Sequence, residues 1–149
     1  VSCRLIDGVR GTITAGQVEK FINPPDFYHS PLTRLVSLEN TANRGGGTCW
    51  EFNEILKIKE VCQRHGLAFH LDGARLWNAL VAKNETPMQY GDAFDTILVC
   101  LSKGLGCPVG SVLLGTKELM GKAIRVRKIF GGGMRQAGYL AAAGIYALD

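Results

Sequence analysis

Hydrophobic and polar positions along the chain follow two periods that alternate. Short aliphatic and β-branched runs stand at residues 1–6, 34–38, 67–71, 96–101 and 109–114, and most are bounded by glycine, proline, asparagine or charged residues. Runs of that length and composition predict β-strands. Elsewhere the period lengthens. In EFNEILKIKEVCQRHG, Phe52, Ile55, Ile58 and Cys62 recur every three to four residues, which puts them on one face of a helix, and Gly66 is placed to end it. A further helix is predicted from TKELMGKAIRVRKIF. It opens on Thr116, an N-cap residue type, and Leu119 three residues later leaves the capping box incomplete. Three glycines from Gly131 separate it from an alanine-rich helical pattern, GYLAAAGIYALD, while Pro24, Pro25 and Pro31 mark an irregular loop around His29. Strands interleaved with helices predict an α/β fold with a mostly parallel sheet and flanking helices, in one domain or part of one.

Composition narrows the class. With 149 residues, 46% hydrophobic and 20% charged, the chain has the make-up of a globular core, which excludes disordered and collagen-like readings. No apolar run reaches membrane-spanning length, and VSCRLIDGVRG has neither the basic start nor the long apolar stretch of a signal peptide. The expectation is a cytoplasmic protein with no membrane partner. Five cysteines, odd in number and without a C-x-x-C pair, predict reduced thiols and no zinc site. A net charge of +4 does not call for a nucleic-acid partner. None of the three histidines has a partner at metal-ligand spacing, so no metal is expected, and His70 of H-x-D is read as packed or hydrogen-bonded. The chain starts without Met and stops directly after a helical pattern, which predicts a piece of a longer protein.

Two stretches carry candidate chemistry. In HLDGARLWNA, Asp72 closes an apolar strand, Gly73 turns the chain and Arg75 follows; in LSKGLGCPVG, Lys103 comes at the end of a later strand, ahead of two glycines. Side chains at the carboxyl ends of strands face the ligand crevice of open α/β sheets, so Asp72, Arg75 and Lys103 are expected to converge at one edge. That trio suits a pyridoxal phosphate enzyme. The lysine supplies a Schiff base, a carboxylate keeps the pyridine nitrogen protonated, and the guanidinium stabilises the ring phenolate. The plainer readings stay open at this point: D-x-x-R as a local ion pair, and Lys103 as a solvated side chain. Gly104-x-Gly106 fails as a dinucleotide fingerprint, because the third glycine position is Val109 and GSVLLG reads as a strand where the motif needs a helix.

The blocks SLENTANRGGG, HLDGARLWNA, CLSKGLGCPVGSVLLG and FGGGMRQAGYLAAAGIYALD, in that order and spacing, resemble the low-specificity threonine aldolases of the aromatic amino acid β-eliminating lyase and threonine aldolase group. The resemblance implies a fold-type I pyridoxal phosphate enzyme that splits L-threonine, L-allo-threonine and related β-hydroxy amino acids into glycine and an aldehyde. It implies Lys103 as the Schiff-base lysine, Asp72 at the pyridine nitrogen, Arg75 at the ring phenolate and His29 near the substrate hydroxyl, where an imidazole is suited to take the proton. Lys128 and Arg135 match basic residues that lie near cofactor or substrate in this family, in part across a subunit interface.

By the same resemblance, residues 1–149 are a partial cofactor-binding large domain. The phosphate-binding loop and a ring-stacking histidine lie upstream, a C-terminal small domain lies downstream, and the parent is a homodimer or homotetramer. The isolated 149 residues are then expected to be a poor aldolase. The family often carries His at the position of Ala42. Rival readings are another pyridoxal-dependent lyase or aminotransferase, which Asp72 and Lys103 serve equally well, and a truncated paralogue acting as an interaction module.

Overall fold

The computed structural model describes residues 2–149. In chain order its elements are α1 (Ala15–Phe21), β1 (Leu35–Glu39), α2 (Phe52–Arg64), β2 (Ala68–Gly73), α3 (Leu76–Lys83), α4 (Pro87–Ala93), β3 (Thr96–Cys100), β4 (Ser111–Gly115), α5 (Lys117–Ile129) and α6 (Gly138–Leu148). The strands form one sheet in the order β1-β2-β3-β4; the first three are parallel and β4 runs antiparallel to β3. The mostly parallel α/β fold expected from the sequence is therefore present.

Strand alternation sorts the sheet into two faces. Val36 and Leu38 of β1, Phe69 and Leu71 of β2, and Ile97 and Val99 of β3 are buried on one face. Against it lies the apolar stripe of α2, where Ile55 and Ile58 are fully buried and Val61 and Cys62 nearly so. Trp50, Tyr90 and Phe94 complete this core. The helix α2 ends as its sequence requires: Gly66 takes φ +61, a left-handed conformation that costs glycine little. Thr116 caps α5 by accepting the Leu119 N–H, and no full capping box forms there.

The strand expected at residues 1–6 is corrected. Residues 2–6 run as irregular chain, with Leu5 largely exposed, and Val1 lies outside the described residues. Arg4 reaches instead to the end of α1, donating to the Phe21 carbonyl and the Asn23 side chain and lying over the Phe21 ring. An apolar run becomes a strand only where a neighbouring strand offers it a ladder, and among the described residues none lies beside this one. Two short helices without a clear apolar period, α1 and α4, are instead announced by their caps. Thr14 with Gln17, and Thr86 with Gln89, form reciprocal capping boxes.

Candidate functional site

Parallel pairing brings the carboxyl ends of β1, β2 and β3 to one edge of the sheet. Glu39 is in register with Asp72, and Asp72 with Leu98. The chain leaves β2 through a turn that only glycine fits: a Cβ on Gly73 would stand 2.7 Å from the Leu98 carbonyl oxygen and 3.2 Å from Leu76 Cβ. The same turn orients Asp72, whose Oδ1 accepts the Ala74 N–H at 3.1 Å. Arg75 follows as the N-cap residue of α3. Asp72 and Arg75 are half-buried and form no ion pair with each other; among the described residues the local D-x-x-R salt bridge is absent.

Lys103 lies three residues beyond the end of β3, in a turn closed by the Gly106 N–H on its carbonyl at 3.0 Å. Its side chain is exposed. Two contacts seat this turn. Gly104 packs against α3 so closely that a Cβ there would be 2.7 Å from Asn78 Oδ1, which brings the lysine turn onto the helix that begins just after Arg75. On its other side, Leu101 lies against Gly144 of α6, and the buried Cys107 thiol is 3.6 Å from the Ala143 carbonyl. Asp72, Arg75 and the Lys103 turn therefore share one end of the sheet. The glycines after Lys103 serve a tight turn and a close helix approach, and the segment after them is strand β4, as expected against the dinucleotide motif.

The other sequence candidates lie elsewhere. His29 occupies the loop that enters β1 at its amino end, exposed, with its ring centroid 3.9 Å from Tyr28 and 5.6 Å from Phe27. No hydrogen bond joins it to Asp72, Arg75 or Lys103. Lys128 stands in the last turn of α5 and Arg135 in the loop before α6; both are exposed, and neither forms an ion pair among the described residues. His70 is hydrogen-bonded, its Nδ1 2.8 Å from Thr96 Oγ1. Ala42 is buried between Gly11 and Gly45, and a Cβ on Gly11 would lie 2.7 Å from its methyl. A side chain of imidazole size at this position requires the turn at Val9–Thr12 to move away.

One group at this edge escaped the sequence analysis. Asn40, directly after β1, is fully buried, and its backbone N–H donates to the Asp72 carbonyl at 3.0 Å. Its side chain joins Tyr90 of α4. Burial and the Glu85 carboxylate hold the Tyr90 phenol well above its usual range, so the hydroxyl keeps its proton. A polar residue following a strand was the only sequence signal for Asn40; its partner lies fifty residues away.

The sequence model of the family described as β-eliminating lyase matches residues 1–149. The chain is 46% identical over 142 residues to low-specificity L-threonine aldolase 1 of Arabidopsis thaliana, covering 93% of this chain and 39% of that protein. It is also 46% identical over 138 residues to the low specificity L-threonine aldolase of Escherichia coli K12, covering 93% of this chain and 40% of that protein. Among solved structures, one from Listeria monocytogenes superposes with TM-score 0.80 at 25% identity, covering 96% of this chain and 38% of that one. A Leishmania major threonine aldolase shares the fold, with TM-score 0.77 at 23% identity over 93% of this chain and 40% of that one. The chain thus spans about two fifths of the length of these relatives.

Proposed function

The chain belongs to the β-eliminating lyase family, and on that premise we propose that it is the cofactor-holding part of a pyridoxal phosphate-dependent threonine aldolase. The reaction is cleavage of the Cα–Cβ bond of L-threonine or L-allo-threonine to glycine and an aldehyde. One observation carries the reading: an exposed lysine and a half-buried carboxylate stand at the same end of two adjacent parallel strands, and the lysine turn is seated on the helix that Arg75 begins.

The residues present fit the cofactor. Asp72 has one oxygen taken by the Ala74 N–H, which fixes its orientation and leaves the other for a ring nitrogen. Arg75 has no carboxylate partner among the described residues and suits a phenolate oxygen. Lys103 supplies an accessible amine for a carbonyl carbon. The bound cofactor supplies an electron sink for the pair released at Cα when the Cα–Cβ bond breaks. The chain's own contributions are binding and orientation: Lys103 would be the covalent anchor, Asp72 would hold a proton on the ring nitrogen, and Arg75 would balance charge at the phenolate oxygen.

His29 is assigned to the substrate hydroxyl, from which an imidazole takes the proton as the aldehyde forms. It precedes the amino end of β1 whereas Lys103 follows the carboxyl end of β3, so this role goes with assembly into a homo-oligomer in which its loop serves a neighbouring copy. Lys128 and Arg135 are assigned to the anionic groups of cofactor or substrate in the same assembly. The cytoplasm is the proposed compartment; among the described residues no helix is long and apolar enough to cross a membrane.

The test is covalent. The whole protein is incubated with pyridoxal phosphate, reduced with borohydride and mapped by peptide mass, with glycine release from threonine measured in parallel. A single cofactor mass on Lys103, lost together with glycine release in Lys103→Ala, is the expected result. Label on any other lysine, or glycine release that survives Lys103→Ala, overturns the reading.

A further inference from the structure

Fully buried polar side chains are uncommon, because each must find its partners inside the protein. Asn40 and Tyr90 are both fully buried, and their polar atoms form a directed chain. The Asn40 Nδ2 amide donates to the Tyr90 hydroxyl at 3.0 Å, and the hydroxyl donates to a Glu85 carboxylate oxygen at 2.7 Å. Trp50 N–H approaches Asn40 Oδ1 at 3.5 Å. At its other end Asn40 extends the β1–β2 ladder by one rung, its backbone N–H on the Asp72 carbonyl at 3.0 Å. The chain thus runs from a half-buried carboxylate on the segment between α3 and α4, through the core, to the peptide from which Asp72 projects.

We propose that Glu85, Tyr90 and Asn40 are positioning residues for Asp72, setting how squarely its carboxylate meets the ring nitrogen of a bound pyridoxal phosphate. This rests on the cofactor assignment above. None of the three touches the cofactor; they act through one backbone hydrogen bond. Asp72 is held at two points, its carbonyl by Asn40 and its Oδ1 by Ala74. Charge-assisted pairing depends on direction as well as distance, so loosening the first point weakens the pairing without removing the carboxylate. A packing role alone does not account for the polar atoms. The Tyr90 ring already stacks on Phe94 and lies 5.3 Å from Phe52, and a phenyl group fills the same space.

The experiment compares two ligands on the whole protein, wild type and Tyr90→Phe. Dissociation constants are measured by tryptophan fluorescence for pyridoxal phosphate and for its 1-deaza analogue, in which a C–H replaces the ring nitrogen. The wild type is expected to prefer pyridoxal phosphate. Tyr90→Phe is expected to cut that preference about fivefold while leaving the affinity for the analogue within about twofold. Glu85→Gln, whose site is partly exposed, is expected to cut the preference in the same direction by about twofold, and it serves where Tyr90→Phe fails to fold. Equal losses for both ligands mean general loosening and overturn the proposal, as does an unchanged preference. A wild type that does not distinguish the ligands overturns the assignment of Asp72 itself, and the proposal with it.

Discussion

Residues 35–100 and residues 101–149 obey the same patterning rules and end in different physical states. In the first region the main apolar faces have partners: β1, β2 and β3 bury one face against α2, and Trp50, Tyr90 and Phe94 fill the remaining space, with Val81 and Met88 left open at the margin. In the second, β4 is exposed along its whole length, α5 buries no residue, and α6 buries only Gly144. Ile129, Phe130, Tyr139 and Tyr146 all lie open. The difference teaches that an apolar stripe states a requirement for a partner without supplying one. Lys103 stands at the seam. Its turn is pinned to the first region through Asn78 and to the second through Gly144 and the Cys107 thiol.

The strongest way to break the comparison is to truncate one isoleucine in each region. Ile58→Ala is expected to destabilise the chain by about 3 to 4 kcal/mol, since Ile58 is fully buried and a cavity is left behind. Ile129→Ala, at a largely exposed position, is expected to cost under ~0.5 kcal/mol. Denaturant melts of the two variants decide it, and equal losses would mean that the second region is as well packed as the first.

Thiol chemistry sharpens the contrast without mutation. Cys62 in α2 has its pKa pushed up to about 11 by burial and, secondarily, by the Asp95 charge, which leaves little thiolate to react. Cys107 is also buried, but beneath α6. Iodoacetamide at pH 8, followed by peptide mapping, is expected to label exposed Cys3 first, half-buried Cys49 and Cys100 next and Cys107 after them, with Cys62 reacting only as the first region unfolds. Labelling of Cys62 ahead of Cys107 would reverse the ranking of the two regions.

The smallest effect tests a single tie within the packed part. Glu54 of α2 accepts the Ala15 N–H at 2.9 Å, and this bond, more than its pairing with Lys57, holds its pKa below the ordinary 4.5. A carboxylate with a lowered folded pKa stabilises fully above the unfolded value and loses that contribution as pH falls through the folded one. Glu54→Gln is expected to cost under ~1 kcal/mol at pH 7, with the gap to wild type closing below pH 4.5. A gap that persists in acid would assign the loss to packing.

The first region was the more legible in the sequence, for a physical reason. Its strands and α2 satisfy their periods with neighbours close along the chain, so pattern and structure coincide. Asp72 and Lys103 were legible as strand-end residues because parallel topology sends those ends to one edge. Residues 1–6 misled because an apolar run carries no information about whether a ladder awaits it. The capping boxes at Thr14 and Thr86 were readable signals for α1 and α4. The Asn40–Tyr90–Glu85 chain was not readable. Its members lie on separate elements, and nothing in their local sequence says that the fold buries them together.

The order of the parallel strands along the chain bears on how the polypeptide is made. Because β1, α2, β2, α3, α4 and β3 are consecutive, a nascent chain emerging from the ribosome has everything needed for this core once residue 100 is clear, while α5 and α6 are still to come. Synthesis then lays the Lys103 turn onto a core whose parallel strands are already paired, so this amine takes its place after the Asp72 carboxylate at the same edge.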